Sequence, residues 1–311
     1  MQNYSIRGLA ITGVTSSIGI FVLQECLERG IPVAAIYRFS SPSASRVPDH
    51  PLVKKYDCDL QHLKELDPDG FHCDAFLHLA WGFTVGEQRN NLKQQADNVQ
   101  YALDAVELAE RFGCHTFMGA GSQAEYGPKQ EDLTEDALPK PATAYGIAKL
   151  CAGQMTRLSC LNKGMRHIWP RILSTYGPCS PYQTVLYYTI RELLAGRVPQ
   201  LSGGDQVWDF VYLRDTARAL LALLEKGRDG EVYLVASGKT RLLKEFLEKT
   251  RDEIDPALPL GLGVVPYGPA TVMHLGADIA KIKQDTGWEP TTTFEDGIRE
   301  TIEWVRKQEH E

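Results

Sequence analysis

Through the first half of the chain, short β-branched runs alternate with stretches of helix length, and this alternation constrains the fold more than any other feature. Gly8 to Thr12 (GLAIT), Pro32 to Tyr37 (PVAAIY), Asp74 to Ala80 (DAFLHLA) and Cys114 to Ala120 (CHTFMGA) have strand composition. Helical patterns lie between and after them, at Ser17 to Arg29, about Arg89 to Phe112, and Thr143 to Asn162. Strands joined through a helix run parallel, and a parallel sheet buries both faces under helices. The expectation is α/β, a doubly wound parallel sheet.

The second half changes character. Prolines and glycines punctuate it at Gly177-Pro178, Pro181, Pro199, Gly203-Gly204, Pro256, Pro259, Pro266 and Pro269. Helical patterns recur at Arg214 to Lys226, Leu242 to Ile254, Asp278 to Thr286 and Phe294 to Arg306. This predicts a smaller C-terminal α/β domain, 176–311, laid over the carboxyl ends of a first domain, 1–175. Residues 207–237 are expected to return to that first domain.

A chain of 311 residues with 43% hydrophobic and 23% charged content can bury a full core. No apolar run is long enough to span a bilayer, and the start MQNYSIRGLAITG lacks the pattern of a secretory leader, so a cytoplasmic protein is expected. The net charge of -7 argues against nucleic acid or an anionic membrane as the main partner. Seven scattered cysteines with no Cys-x-x-Cys pair indicate neither a disulfide framework nor a metal site.

Thr12-Gly13-Val14-Thr15-Ser16-Ser17-Ile18-Gly19 follows the first strand and opens the first helix. Gly13 permits the tight turn, Gly19 permits close packing, and the helix start offers free N–H groups to a pyrophosphate, with Thr15, Ser16, Ser17 and Ile18 around it. The segment resembles the glycine turn of a dinucleotide site, with Ser16 where that pattern has its middle glycine, although glycine turns also end strands for structural reasons alone. Past the second strand, where a carboxylate would take the 2′-hydroxyl of NAD, stand Arg38, Ser40 and Ser41. These donors suit a 2′-phosphate and predict a preference for NADP(H). If Arg38 is only a solvated loop charge, NAD(H) remains open.

Ala144-Tyr145-Gly146-Ile147-Ala148-Lys149 puts a tyrosine and a lysine one turn apart on a helix face. Reduction of a carbonyl needs an acid for the oxygen, and a lysine ammonium is expected to lower the phenol pKa toward that task. Ser122, in Gly119 to Gly127 (GAGSQAEYG), ends a strand and offers a hydroxyl to the same oxygen.

These motifs together resemble the extended short-chain dehydrogenase/reductases of the NAD(P)-dependent epimerase/dehydratase family. Asp59-Leu60, His78-Leu79-Ala80, Asn98, Arg171 to Pro178 (RILSTYGP), Asp209 to Tyr212 with Asp215, and Gly287 to Pro290 fit the same pattern. The resemblance implies that Tyr145 is the general acid/base, that Lys149 holds the nicotinamide ribose, and that Ser122 orients the substrate. It also implies cofactor contacts from Asp59, Leu60, Leu79, Ala80 and Asn98. Trp81 and Gly82 would sit near cofactor and sugar, with Trp81 equally suited to the core.

Dehydratases of the family carry an Asp-Glu pair directly after the serine or threonine; here stand Gln123 and Ala124, while Glu125 should face away. Dehydration is thereby disfavoured. NADPH-dependent reduction of a nucleotide-linked 4-keto-6-deoxyhexose is expected, with an NAD-dependent 4-epimerase as the alternative. Gly82, Gln123, Ser174, Trp208 and Tyr267 are candidate substrate contacts, and Tyr182, Tyr212 and His274 are further aromatic candidates. Trp208 and the Pro266-Tyr267-Gly268-Pro269 loop lack the arginines that commonly clamp the diphosphate, so Arg197, Arg214 or Arg241 would have to substitute. The resemblance further implies a homodimer through helices at about 92–111 and 146–162.

Overall fold

The computed structural model describes residues 4–181, 183–268 and 271–308. The first body runs β1 (Leu9–Thr12), α1 (Ser17–Glu28), β2 (Val33–Tyr37), β3 (Val53–Asp57), β4 (Ala75–His78) and α2 (Leu92–Arg111). It continues through β5 (Thr116–Gly119), β6 (Gly121–Ser122), α3 (Ala144–Asn162) and β7 (Arg166–Ile172). Then follow β8 (Ser174–Tyr176), α4 (Val185–Leu194), β9 (Val207–Tyr212), α5 (Leu213–Lys226) and β10 (Glu231–Val235). The chain closes with β11 (Thr240–Leu242), α6 (Leu243–Asp252), β12 (His274–Leu275), α7 (Ala280–Thr286) and α8 (Phe294–Gln308).

The large sheet is parallel, in the order β10-β7-β5-β4-β1-β2-β3, with β6 pairing on β7. Successive side chains divide between its faces as period two requires. Leu9, Ile11, Val33 and Ala35 join the core under α1 and α5. Ala10, Ala34, Ile36 and Phe76 join the core under α2. Burial on both faces explains why these strands read as unbroken apolar runs. The order reverses between β1 and β4, and the crevice beyond the carboxyl ends there is where such sheets bind ligands.

The second body is a small sheet, β11-β9-β12 with β8 on β9, packed with α4, α6 and α8. Phe210, Phe246 and Phe294 centre its core, the last two with ring centroids 4.7 Å apart. The expected return of 207–237 is divided: β9 stays in the small sheet, while α5 and β10 join the large body. Helix α4 and strand β3 are additions to the sequence reading. VKKYD of β3 has no apolar run, because only Tyr56 of its residues is buried.

Candidate active site

Gly13 ends β1 with φ +71, and a Cβ there would lie 2.7 Å from the backbone nitrogen of Ala80. Only glycine allows both the left-handed turn and this approach of the β1 and β4 ends. Ser16 is the N-cap of α1; its Oγ accepts from the Gly19 N–H at 3.1 Å. The serine in place of a glycine therefore stabilises the helix start by its own hydrogen bond. Gly19 lies beneath the turn, against the Gly13 carbonyl and Val14, and not at the surface of the cleft.

A cleft of about 970 Å³ runs from this turn across the sheet switch point. Gly13, Thr15, Ser16, Ser17 and Ile18 line one stretch of it, beside the free N–H end of α1. Arg38, Ser41, Asp59 and Leu60 line the end past β2; Leu79, Ala80, Trp81, Gly82 and Asn98 line the middle. Asn98 clamps Gly82 from both sides, accepting from its N–H and donating to its carbonyl, each at 3.0 Å. Ser40 stands outside the lining, and Arg38 makes an ion pair with Asp59 at 3.6 Å. Arg46 and Ser43, not singled out from the sequence, line this end too, and Arg46 donates to the Thr15 carbonyl at 3.3 Å. They sit in a serine-rich loop without periodicity, where the charge of Arg46 was the one available signal.

Ser122, Tyr145 and Lys149 come together at the other end. Thr143 caps α3 through the Gly146 N–H at 3.1 Å, so Tyr145 and Lys149 project from its first turns. The Ser122 hydroxyl accepts from the Ala124 N–H at 3.2 Å and lines the same end of the cleft as Tyr145. Behind Ser122, Glu125 accepts from the Ser122 N–H at 2.8 Å, from the Trp169 indole at 3.0 Å and from Arg171 at 2.7 Å. Glu125 is fully buried and faces away from the cleft, as expected, though through a 3-10 turn and not an extended stretch. The Gly119-Ala120-Gly121 pattern follows from the same network, since a Cβ at Gly121 would lie 2.5 Å from the Trp169 indole nitrogen.

The electrostatics depart from the simple expectation for the pair. Lys149 is buried, donates to the Ala120 carbonyl at 2.7 Å, and holds its ammonium 3.6 Å from the Trp81 ring centroid. Burial lowers its pKa to about 7, with the Glu125 charge opposing. Burial likewise raises Tyr145 above the ordinary phenol value. The Ser122 hydroxyl and the Arg89 guanidinium pull it back, and the Glu125 charge adds to the rise. Two cations flank the Tyr145 ring, Arg89 at 4.6 Å from its centroid and Lys149 at 5.8 Å.

The candidate substrate contacts scatter. Gln123, Ser174, Trp208 and Tyr267 do not line the cleft. Trp208 donates to Ser174 at 2.9 Å, satisfying both side chains, and the Tyr267 hydroxyl pairs with Asp205. Tyr212 is core, His274 pairs with Asp132 at 2.8 Å, and Tyr182 and Pro269 lie outside the described residues. Arg197 and Arg241 are bound to Glu192 and Glu295, and Arg214 faces Glu28; none of the three lines the cleft. Instead Thr175, Cys179, Ser180 and Gln183 bring the second body to the cleft edge.

A Rossmann cleft that ends in a serine–tyrosine–lysine cluster defines a nicotinamide-nucleotide site. The match to the family described as NAD dependent epimerase/dehydratase spans residues 9–236, and the chain belongs to that family. It is 24% identical to the dTDP-glucose 4,6-dehydratase of Neisseria meningitidis serogroup B, over 96% of this chain and 93% of that one. An Escherichia coli dTDP-glucose 4,6-dehydratase is 30% identical, but over 55% of this chain and 51% of that one. Among solved structures, a UDP-N-acetylglucosamine 4-epimerase from Methanobrevibacter ruminantium superposes with a TM-score of 0.87 at 21% identity, covering 99% of this chain and 100% of that one. The UDP-glucose 4-epimerase of Thermotoga maritima gives 0.84 at 23% identity, covering 97% and 99%. These likenesses establish the fold, and among the described residues no helix is long and apolar enough to cross a membrane.

Proposed function

We propose that this chain reduces the 4-keto group of a nucleotide-linked 4-keto-6-deoxyhexose with NADPH. The observation that carries the reading is the lack of an elimination pair at the reactive end. Gln123 and Ala124 are not acids or bases, Glu125 is locked to Arg171 behind the sheet, and among the described lining residues the carboxylate is Asp59, at the far end. Among the described lining residues no carboxylate stands at the reactive end to remove the proton or protonate the leaving hydroxyl of a dehydration. The choice of reduction over epimerisation rests on Arg38 and Arg46, which with Ser41 and Ser43 line the cleft end past β2 and would suit a 2′-phosphate.

The residues present fit a dinucleotide: Gly13, Thr15, Ser16, Ser17 and Ile18 line the cleft at the start of α1, whose N–H groups suit a pyrophosphate. A bound nicotinamide would supply the hydride for C4 of the sugar. Tyr145 would give its proton to the oxygen at C4, and Ser122, beside it in the cleft lining, would align that oxygen. Lys149, one turn along α3 from Tyr145, would hold the nicotinamide ribose. A 4-epimerase is the second reading, favoured by the Arg38–Asp59 ion pair, which reduces the pull of Arg38 on an anion. Two copies joined through α2 and α3 complete the proposal. It is supported by Ile147, Met155, Leu158 and Leu161 on α3, which are 55%, 43%, 59% and 70% exposed. Unpaired cysteines fit a cytoplasmic setting.

The test offers CDP- and dTDP-linked 4-keto-6-deoxyglucose with NADPH or NADH, following nicotinamide absorbance and product identity. Reduction predicts one NADPH consumed per deoxysugar formed. A double Arg38→Ala, Arg46→Ala variant should raise KM for NADPH roughly tenfold or more and leave NADH little changed. Interconversion of 4-hydroxyl epimers of ordinary sugar nucleotides without net cofactor loss would instead establish the epimerase.

A further inference from the structure

The polar segment between β4 and α2 forms a 3-10 turn, Gly86–Asn90, that docks on the start of α3. Asn90 Oδ1 accepts from the Ala144 N–H at 3.1 Å, one residue before Tyr145. Arg89, its neighbour, is half-buried, with its guanidinium carbon 4.6 Å from the Tyr145 ring centroid. Its Nε is buried and has no hydrogen-bond partner among the described residues. A guanidinium bound edge-on by a carboxylate would be spent; this one is held against an aromatic ring. Trp81 meets the same ring edge-on, centroids 6.3 Å apart at 85°.

We propose that Arg89 is a positioning residue for Tyr145: pinned by the Gly86–Asn90 turn, its guanidinium fixes the ring and supplies the positive charge that stabilises the phenolate left after proton transfer. The attraction of a cation to a neutral ring is modest, and it grows to an ion-pair interaction once the phenol ionises. The contact therefore acts mainly on the ionised form, which is the condition for helping the chemical step. Ser122 from β6, Arg89 from the turn and Lys149 from α3 at 5.8 Å stand around Tyr145, while the Glu125 carboxylate, tied to Arg171 behind Ser122, adds a charge that acts the other way. Arg89 is the cation nearer the ring centroid, and its charge lowers the phenol pKa against burial. The inference rests on Tyr145 as the proton donor or acceptor, which reduction and epimerisation share.

The test is ultraviolet titration of tyrosinate in the protein and in its Arg89→Met and Arg89→Lys variants, each read against the same protein carrying Tyr145→Phe. The Tyr145 midpoint should move upward in Arg89→Met and stay near that of the parent in Arg89→Lys, which keeps the charge. On the keto sugar, Arg89→Met should lose roughly tenfold in kcat at neutral pH, with KM within about twofold. An unchanged midpoint in Arg89→Met overturns the proposal, as does a risen KM with kcat and midpoint unaltered, which would make Arg89 a substrate contact. Should Arg89→Met fail to fold, Arg89→Gln carries the same reading. A shifted midpoint in a protein that reduces no keto sugar would uphold Arg89 and reject the reductase.

Discussion

Lys149 shows how burial and catalysis compete at a single residue. Its folded-state pKa of about 7 lies below the ordinary value of 10.5 because the side chain is buried and has one carbonyl and one indole face for company. Between those values the unfolded chain keeps a proton that the folded chain has released, so stability rises with pH across the window. Below about 7 the full cost of burying the charge is present. We expect the stability difference between the parent and Lys149→Met to rise by an amount on the order of a few kcal/mol between pH 7 and 10.5. Denaturant unfolding across that range checks it, and a flat difference would mean Lys149 stays charged in the fold. Tyr145, Ser122 and Lys149 were legible in the sequence because the pair is one turn apart and the serine ends a strand. Arg89 and Arg46 were not legible. Both act from polar loops whose docking points, on α3 and on the Thr15 carbonyl, are distant along the chain.

At the scale of elements, the reactive end depends on how a two-residue strand is anchored. β6 is followed by a 3-10 turn whose Glu125 reaches back to the Ser122 N–H, while Arg171 and Trp169 of β7 hold the carboxylate from the neighbouring strand. Removing Glu125 leaves the Arg171 guanidinium buried without its carboxylate and the Ser122 N–H without an acceptor. Breaking a buried pair on one side commonly costs about 3–5 kcal/mol, so Glu125→Ala should lower the unfolding midpoint in denaturant by that equivalent, with the slope unchanged. A loss under about 1 kcal/mol, as for a surface pair, would refute the anchoring role. Helix patterns matched the observed elements closely because amphipathic period is a local signal. The partner of β9 was not local: its Asp209-Phe210-Val211-Tyr212 sequence suits either sheet, and pairing with β8, β11 and β12 decided it.

For the whole molecule, α2 and α3 pack on each other and leave a stripe of apolar side chains on α3 facing solvent. Burying it against a second copy would remove exposed apolar surface at roughly 25 cal/mol per Å². We expect sedimentation to give a dimer, and the Leu158→Glu, Leu161→Glu double variant to give a folded monomer. A monomeric parent would remove the dimer from the proposal. The sequence by itself determined the parallel α/β sheet, the nucleotide turn and the family, because each is carried by short-range pattern: alternation, a glycine at a forced turn, and residues one helical turn apart. The tertiary structure decided what long-range contact alone can decide. It gave Glu125 its buried partner Arg171, paired Trp208 with Ser174, bound Arg197 and Arg241 to their own carboxylates, and set Arg89 over Tyr145. A side chain's charge and size are written in the sequence, but the group that meets it depends on which distant segments fold against each other.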